Sequence, residues 1–497
     1  MTIPIKIRIC GNALEVSGNG KDKFPVELRS VMEPALQYEY RQLMRGQDAR
    51  DRLGTRHPVR IETRLLFTYD RYGRLIAGAG LLSRINGILK QLGCDISYED
   101  VTPVHPRPDR FTEDWDNVVR NFKFRPRQDE ALVQIASNYR GIVDAPTGFG
   151  KTFTYKAIGL LYPRARILIT TKRRDLVEGI RSELAKDLPN IGQIGGGVNR
   201  PGRITVVTAD SLHRADPDEV DILIGEEVHE LAAPSYAVEL SKFRFCRMYG
   251  FSATPTGRMD NADMKLESLF GPIIFRMTYQ EAVALGLVVP IDVRWLSVRM
   301  DNPAAGKVDV PRLRWGIWRN QVRNEIIAAA AREFGPDEQT LIMVTTFEHA
   351  VHLRQHLPDF TLCYAERSDD GAFNDYVKKG MLPETEPEMT PARREMLRKQ
   401  FESGALKKVI ATDVWSTGVS FEQLSVMIRA DARGSEIMDS QIPGRVCRIH
   451  EESGKRRGLV LDCLDEFDAN FRNAARKRRQ NYEAKGWGQI MPAPSRL

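Results

Sequence analysis

Two open α/β sheets in tandem behind a small α+β module are the fold class that this sequence predicts, and three observations predict it. Short apolar runs, GIVDA (141–145), RILIT (166–170), ITVVT (204–208), DILIG (221–225) and RMYGFSA (247–253), recur between stretches of helical periodicity. A second series follows, made of TLIMVTT (340–346), KKVIATD (407–413), SVMIRAD (425–431) and GLVLDC (458–463). Strands covered by helices on both faces are apolar throughout, so such runs read as buried strands of parallel sheets. The length, 497 residues, leaves chain for more than one core.

The stretch before the first series, 1–112, mixes strand-like runs (Ile5 to Ile9, Val59 to Phe67) with a helical segment around Leu81 to Leu92. It ends in VTPVHPRPDRF, whose prolines at 103, 106 and 108 break regular structure and mark a linker. The expected division is an accessory domain over 1–112, a first α/β domain over 113–285, a second over 286–470 and a basic tail over 471–497. Residues 366–391, with Asp369, Asp370, Gly371, Gly380, Pro383 and the run ETEPE, read as a solvated loop insertion in the second domain. The tail carries Arg472, Arg476, Lys477, Arg478 and Arg479, which fit phosphate contacts or a solvated helix end equally well.

Composition bounds the function. Hydrophobic residues are 42% and charged residues 28%, as in soluble globular proteins. Lys plus Arg number 73 against 66 Asp plus Glu, a formal +7 that suits a polyanionic partner without identifying one. Six scattered cysteines with no CxxC pair argue against a disulfide framework or a zinc site, and fit reduced thiols in a cytoplasm, the host's if the chain is phage-encoded. The start, MTIPIKIRIC, lacks the features of a signal peptide, and no apolar stretch is long enough for a membrane span.

The strongest local signal is Ala145-Pro146-Thr147-Gly148-Phe149-Gly150-Lys151-Thr152, between an expected strand and an expected helix. Its glycines let backbone approach phosphate oxygens, and the helix aims its free N–H groups and positive dipole end at them. Lys151 can reach the outer phosphates and the Thr152 hydroxyl can ligate Mg²⁺. The usual first glycine is Ala145 here. Farther on, DILIG runs into Glu226-Glu227-Val228-His229, an acidic pair at a strand end. Such a pair can hold a metal through Glu226 and activate water through Glu227.

With these residues the chain resembles superfamily 2 helicases of the DExH type, which have two tandem RecA-like domains. Arg125-Pro-Arg-Gln128 resembles the family's adenine-reading element, implying a base contact for Gln128. The phosphate loop (Pro146 to Thr152) is similar to motif I, Glu226 to His229 to motif II, and Ser252-Ala-Thr254 to motif III, implying coupling roles for His229, Ser252 and Thr254. TDVWSTGVSF (412–421) resembles motif V, implying a nucleotide contact for Gly418. Gln441-Ile-Pro-Gly-Arg-Val-Cys-Arg448 matches QxxGRxxR, implying catalytic roles for Gln441, Arg445 and Arg448, the arginines as finger. A planar, permanent guanidinium suits charge developing on a transferring phosphoryl group, and from a second domain it would couple cleavage to cleft closure. Two positions depart from the family: Glu226 replaces the usual Asp, and Ser420 stands where motif V commonly carries an acidic residue. Within the superfamily, STGVSF, LVLDCLDEF and the compact N-terminal stretch are similar to phage UvsW-like and XPB-like DNA helicases.

The resemblance implies ATP and Mg²⁺ as cofactors and nucleic acid, with DNA favoured, as partner. For strand binding it points to Thr171, Lys172, Arg173, Gly196 and Thr208 in the first domain and to Thr345, Thr346 and Thr412 in the second. Hydroxyls and amides hold phosphates without reading sequence. Each threonine alone fits a surface strand residue as well, and Lys172 with Arg173 fits a solvated helix start. The expected activity is ATP-driven unwinding or branch migration of DNA in recombination, repair or fork processing. Its rivals are an RNA-dependent ATPase of the same superfamily, a duplex translocase subunit of a restriction system, and an ATP-gated binding clamp with little turnover.

Overall fold

The computed structural model describes residues 2–18, 23–43, 59–102, 108–253, 263–365, 370–415, 421–434, 443–450 and 454–492. The chain divides into two units, Met1–Met277 and Thr278–Leu497.

The first unit opens with the hairpin β1 (Pro4–Cys10) and β2 (Ala13–Gly18), turned at Gly11 with φ +58°. A separate ribbon pairs β3 (Gln37–Leu43) with β4 (Val59–Leu65). With β5 (Phe67–Tyr69), β6 (Leu75–Gly78) and β7 (Asp95–Asp100), the hairpin forms a sheet ordered β5-β6-β2-β1-β7. Alternation along the strands turns Ile5, Ile7, Leu14, Val16 and Leu75 to one face. Leu28 and Met32 of helix Val26–Ala35 and Ile85 and Leu89 of helix Leu82–Gln91 cover that face.

This module stands on the amino-terminal edge of the next sheet. Arg84 grips Glu267 with two hydrogen bonds, 3.1 and 2.5 Å, and Arg140 donates to Asn12 Oδ1 at 2.6 Å. A Cβ on Gly80 would meet the Glu267 carbonyl at 2.0 Å, so the absence of a side chain there is what permits the contact.

The second sheet contains β8 (Arg140–Asp144), β9 (Ile167–Thr171), β10 (Ile191–Gly195), β11 (Val198–Arg200), β12 (Ile204–Thr208), β13 (Ile222–Glu226), β14 (Arg247–Ser252) and β15 (Ile273–Arg276). Their order is β11-β10-β12-β9-β13-β14-β8-β15, parallel except for the β10–β11 hairpin. β9, β12 and β13 are buried along their whole lengths, the physical basis of their unbroken apolar runs.

In the second unit β16 (Ile291–Val298), β17 (Thr340–Met343), β18 (Thr361–Cys363), β19 (Lys408–Ala411), β20 (Val426–Arg429), β21 (Gly458–Asp465) and β22 (Gly488–Ile490) form a parallel sheet. Its order is β18-β19-β17-β20-β21-β16-β22. The two doubly covered parallel sheets are the tandem RecA-like architecture expected from the sequence.

Two segments differ from expectation. The 366–391 stretch carries a helix, Asp370–Lys378, rather than a solvated loop throughout: Phe373 and Tyr376 pack against Phe347, Leu382 and Met389 are buried, and Glu386 pairs with Arg354 at 2.7 Å. Residues 471–490 are not a tail but the rest of helix Ala469–Ala484 followed by β22, which pairs with β16. Of the linker prolines, Pro108 begins a short 3₁₀ turn to Phe111; Pro103 and Pro106 lie outside the described residues.

That C-terminal helix is fastened by buried charge. Arg478 Nε sits 2.9 Å from Asp462, Arg323 Nε 2.8 Å from Asp465 and Arg429 Nη2 3.0 Å from Asp431. The Tyr482 hydroxyl links two of these pairs, accepting from Arg429 and donating to Asp462, both at 2.8 Å. Burial opposes the Asp431 charge, but Arg429 and Arg433 outweigh it and hold the carboxyl down at about 2. The phosphate contact considered for Arg478 is therefore excluded in this fold: its side chain is fully buried, whereas Arg476 and Lys477 are exposed. Arg478→Ala strands the Asp462 carboxylate and should cost about 3–5 kcal/mol. Lys477→Ala should stay within about 0.5 kcal/mol. Urea unfolding of the full chain separates the two, and equal, small losses would refute the structural role of Arg478.

Candidate functional site

Parallel order sets the carboxyl ends of β8, β14, β13 and β9 side by side, and the first unit's expected residues gather there. After β8 the chain turns through Ala145 to Gly150 into helix Lys151–Leu161. Gly148 and Gly150 have φ +95° and +88°, a region that side chains disfavour. Ala145 is buried with its N–H on the Ser252 carbonyl at 3.1 Å, so the methyl that replaces the usual glycine points into packed protein. Phe149 is buried against Phe275, which leaves its backbone, not its ring, for a ligand. Pro146, Thr147, Gly148 and Thr152 are partly exposed along the loop.

Gln128, for which a base contact is expected, is turned to the loop. It is 1% exposed, and its amide clamps the loop: Oε1 accepts from Arg125 N at 3.0 Å, while Nε2 donates to the carbonyls of Phe149 at 2.8 Å and Gly150 at 3.3 Å. An amide so engaged has no donor left for a base. A Cβ on Gly150 would fall 2.7 Å from that Nε2, so this glycine is required for room as well as for φ.

Lys151 Nζ lies 2.5 Å from Glu227 Oε1 and 3.3 Å from Glu226 Oε1. Burial drives the Glu226 carboxyl up to about 7 despite Lys151, with the Glu227 charge adding to the rise. Burial also opposes ionisation of Glu227, but Lys151 and then His229 outweigh it and hold that carboxyl below its ordinary value. The two carboxylates in turn raise Lys151 above the usual lysine range against its own burial. Glu227 has φ +49°, a strained state that costs on the order of 1–3 kcal/mol and persists where surroundings enforce it. Ser252 Oγ is 3.5 Å and His229 Nδ1 3.4 Å from its second oxygen, and these two side chains meet at 2.8 Å. Motif II and motif III residues are thus in one chain of contacts; Thr254 lies outside the described residues.

The residue that sequence reading missed is Tyr155, buried in the helix after the loop and donating its hydroxyl to Glu226. Its signal was spacing, for position i+4 from Lys151 shares that residue's helical face. The donor set fits a hard divalent cation. Thr152 and Glu226 offer oxygen ligands of the kind that supplement water and phosphate oxygens around Mg²⁺. Among the described residues, no group of three or more His, Cys, Asp or Glu side chains forms a separate metal site.

The expected strand-binding residues divide by exposure. Thr171 and Thr208 are buried, the latter with its hydroxyl on Ser211 at 3.0 Å, because both are final residues of central strands. Lys172 is exposed, 6.0 Å from the Tyr236 ring, and Gly196 is exposed in the β10–β11 turn. Arg173 lies 3.9 Å from Glu230. In the second unit Thr412 is buried, Thr346 caps helix Phe347–Arg354 by accepting from His349 N, and the Thr345 hydroxyl has no hydrogen-bond partner among the described residues. The hydroxyls of Thr171, Thr208, Thr345 and Thr412 are therefore not presented to a strand in this structure, and Thr346 is engaged as a cap. Arg445 is buried in the short turn Pro443–Cys447 and Arg448 is partly exposed; Gln441 and Gly418 lie outside the described residues.

The charge triad makes a pH-dependent prediction. A depressed Glu227 contributes stability above the ordinary glutamate value, lost as pH falls through its lower folded value. Lys151→Ala leaves two buried carboxylates without their cation, so each gains affinity for protons and the variant loses stability as pH rises. The melting-temperature gap below wild type should widen from about pH 5 to about pH 8. A gap that is constant with pH would show that Lys151 does not neutralise the pair.

Residues 121–257 match the family described as the res subunit of type III restriction enzymes, and residues 323–450 match the helicase conserved C-terminal domain. The chain is similar to the DNA 3'-5' translocase XPB2 of Sulfurisphaera tokodaii, 24% identical over 73% of this chain and 86% of that protein. It is similar also to the DNA 3'-5' helicase XPB of Kineococcus radiotolerans, 23% identical over 71% of this chain and 62% of that protein. In fold it is similar to S. cerevisiae Dbp5 bound to RNA and ADP BeF3, with TM-score 0.52 and 14% identity over 77% of this chain and 95% of that one.

Proposed function

Because this chain is a superfamily 2 helicase related to the XPB helicases, we propose that it is an ATP-dependent DNA helicase or branch-migration translocase that remodels DNA in recombination, repair or fork processing. The observation that carries the ATPase reading is Lys151 held between Glu226 and Glu227 at the mouth of a glycine-bent loop. Before nucleotide arrives, the two carboxylates neutralise this lysine. Incoming phosphates offer it stronger partners, and its departure frees Glu227 to orient water and accept a proton from it. Thr152 and Glu226 would hold Mg²⁺, whose chemistry is to offset phosphate charge. Tyr155 positions Glu226, and the Glu227–Ser252–His229 contacts carry the change at the nucleotide toward motif III. Arg445 and Arg448 are the proposed arginine finger.

DNA is the favoured track because the named relatives act on DNA. Lys172 and Gly196, exposed at the carboxyl ends of β9 and β10, are the contacts of the first unit best placed to meet phosphates.

Steady-state ATP hydrolysis should be low alone and rise with single-stranded, duplex and four-way-branched DNA, most with branched DNA. Lys151→Ala should abolish turnover, and Arg445→Ala should do so while largely sparing ATP binding. Stimulation by RNA alone would transfer the reading to an RNA-dependent ATPase. Tight ATP-dependent binding without phosphate release would leave a clamp, and wild-type hydrolysis in either variant would refute the site.

A further inference from the structure

The second unit contains a rare element near the carboxyl end of its sheet. Helix Asp309–Leu313 runs directly into a π-helical turn, Arg314–Trp318. Such turns are uncommon and gather at functional sites. The local packing accounts for this one: a Cβ on Gly316 would lie 2.4 Å from the Phe471 ring, so the backbone itself is pressed onto the C-terminal helix. Gly316, Ile317 and Trp318 go inward and Trp315 is left outward, 44% exposed, near exposed Val308 and Val310.

The segment around it in sequence is cationic. Residues 307–319 contain Lys307, Arg312, Arg314 and Arg319 against Asp309. Arg314 and Arg319 both bond to one carboxylate, Glu348, at 3.0 and 2.5 Å, so two guanidiniums are pinned by a single negative charge. Arg319 lies 5.6 Å from the centre of the Trp315 ring. Glu348 stands in the first turn of helix Phe347–Arg354, capped by Thr346, and next to Thr346 is Thr345, whose hydroxyl is itself buried. The aromatic surface therefore adjoins the place in this unit where a strand is expected.

A lone exposed tryptophan is ordinary on a protein surface. A tryptophan turned out by a π turn, beside fixed guanidiniums in a segment of four positive charges and one negative, matches what unpaired nucleotides bind: an aromatic face for the base and cations for the phosphates. We propose that Trp315 is a base-stacking platform for single-stranded DNA, with Arg319 beside it receiving phosphates. The proposal rests on the reading of the chain as a DNA motor and adds a contact with bases, which a track of hydroxyls and amides does not supply.

The test is equilibrium binding of full-length wild type, Trp315→Ala and Trp315→Phe to oligothymidylate and to an abasic strand of equal length, with melting temperatures to verify folding. Trp315→Ala should bind oligothymidylate about tenfold more weakly, and Trp315→Phe should recover most of the loss. On the abasic strand, wild type and Trp315→Ala should bind alike. Unchanged oligothymidylate binding in Trp315→Ala, or an equal loss on the abasic strand, overturns the platform while leaving the motor reading in place. Failure of wild type to bind any DNA overturns both.

Discussion

Lys151 carries one positive charge into protein at the carboxyl ends of the first large sheet, and two carboxylates meet it there. Removing any of these groups from water is expensive, and the arrangement holds because the charges compensate one another within hydrogen-bonding distance. Two carboxylates for one lysine leave a surplus of negative charge in a buried place. Burial raises Glu226, that surplus adds to the rise, and the Tyr155 hydroxyl donates to the same carboxylate. The strain in Glu227 belongs to the same balance, since its bent backbone brings its oxygens to Lys151, Ser252 and His229 together.

The geometry that makes this possible is the parallel order of strands. β13 and β8 are separated in the sheet by β14 alone, so three segments far apart in sequence end on one line. Loops leaving those ends can face one ligand. The N-terminal module stands at the other end of the same strands, tied through Arg84, Asn12 and the bare backbone of Gly80, and leaves the carboxyl-end face to the loops.

Charge burial organises the second unit by a different balance. Three arginines meet three aspartates along β21 and just after β20, with Tyr482 joining two of the pairs. Here each aspartate has its own arginine, Arg433 also reaches Asp431, and the result is an anchor for two helices. Arg478 and its neighbours Arg476 and Lys477 show how one basic run divides: helical rotation turns the first inward and the others to water.

By itself the sequence determined what local chemistry can announce. Unbroken apolar runs marked the buried central strands, because strands covered on both faces need no polar alternation. APTGFGKT and EEVH marked the glycine-bent loop and the acidic pair that meet at Lys151, because bent backbone and paired carboxylates require those residue types at those spacings. Short edge strands such as β11, β18 and β22 gave no such signal, since three residues carry too little pattern to separate from loops. Tertiary structure alone decided which way side chains face and what they meet: Gln128 turned to the loop rather than outward, Thr171 and Thr208 buried at their strand ends, Arg478 closed in by Asp462, and Trp315 turned out by a π turn. Those outcomes depend on neighbours contributed by distant segments, and such neighbours exist only once the sheets have formed.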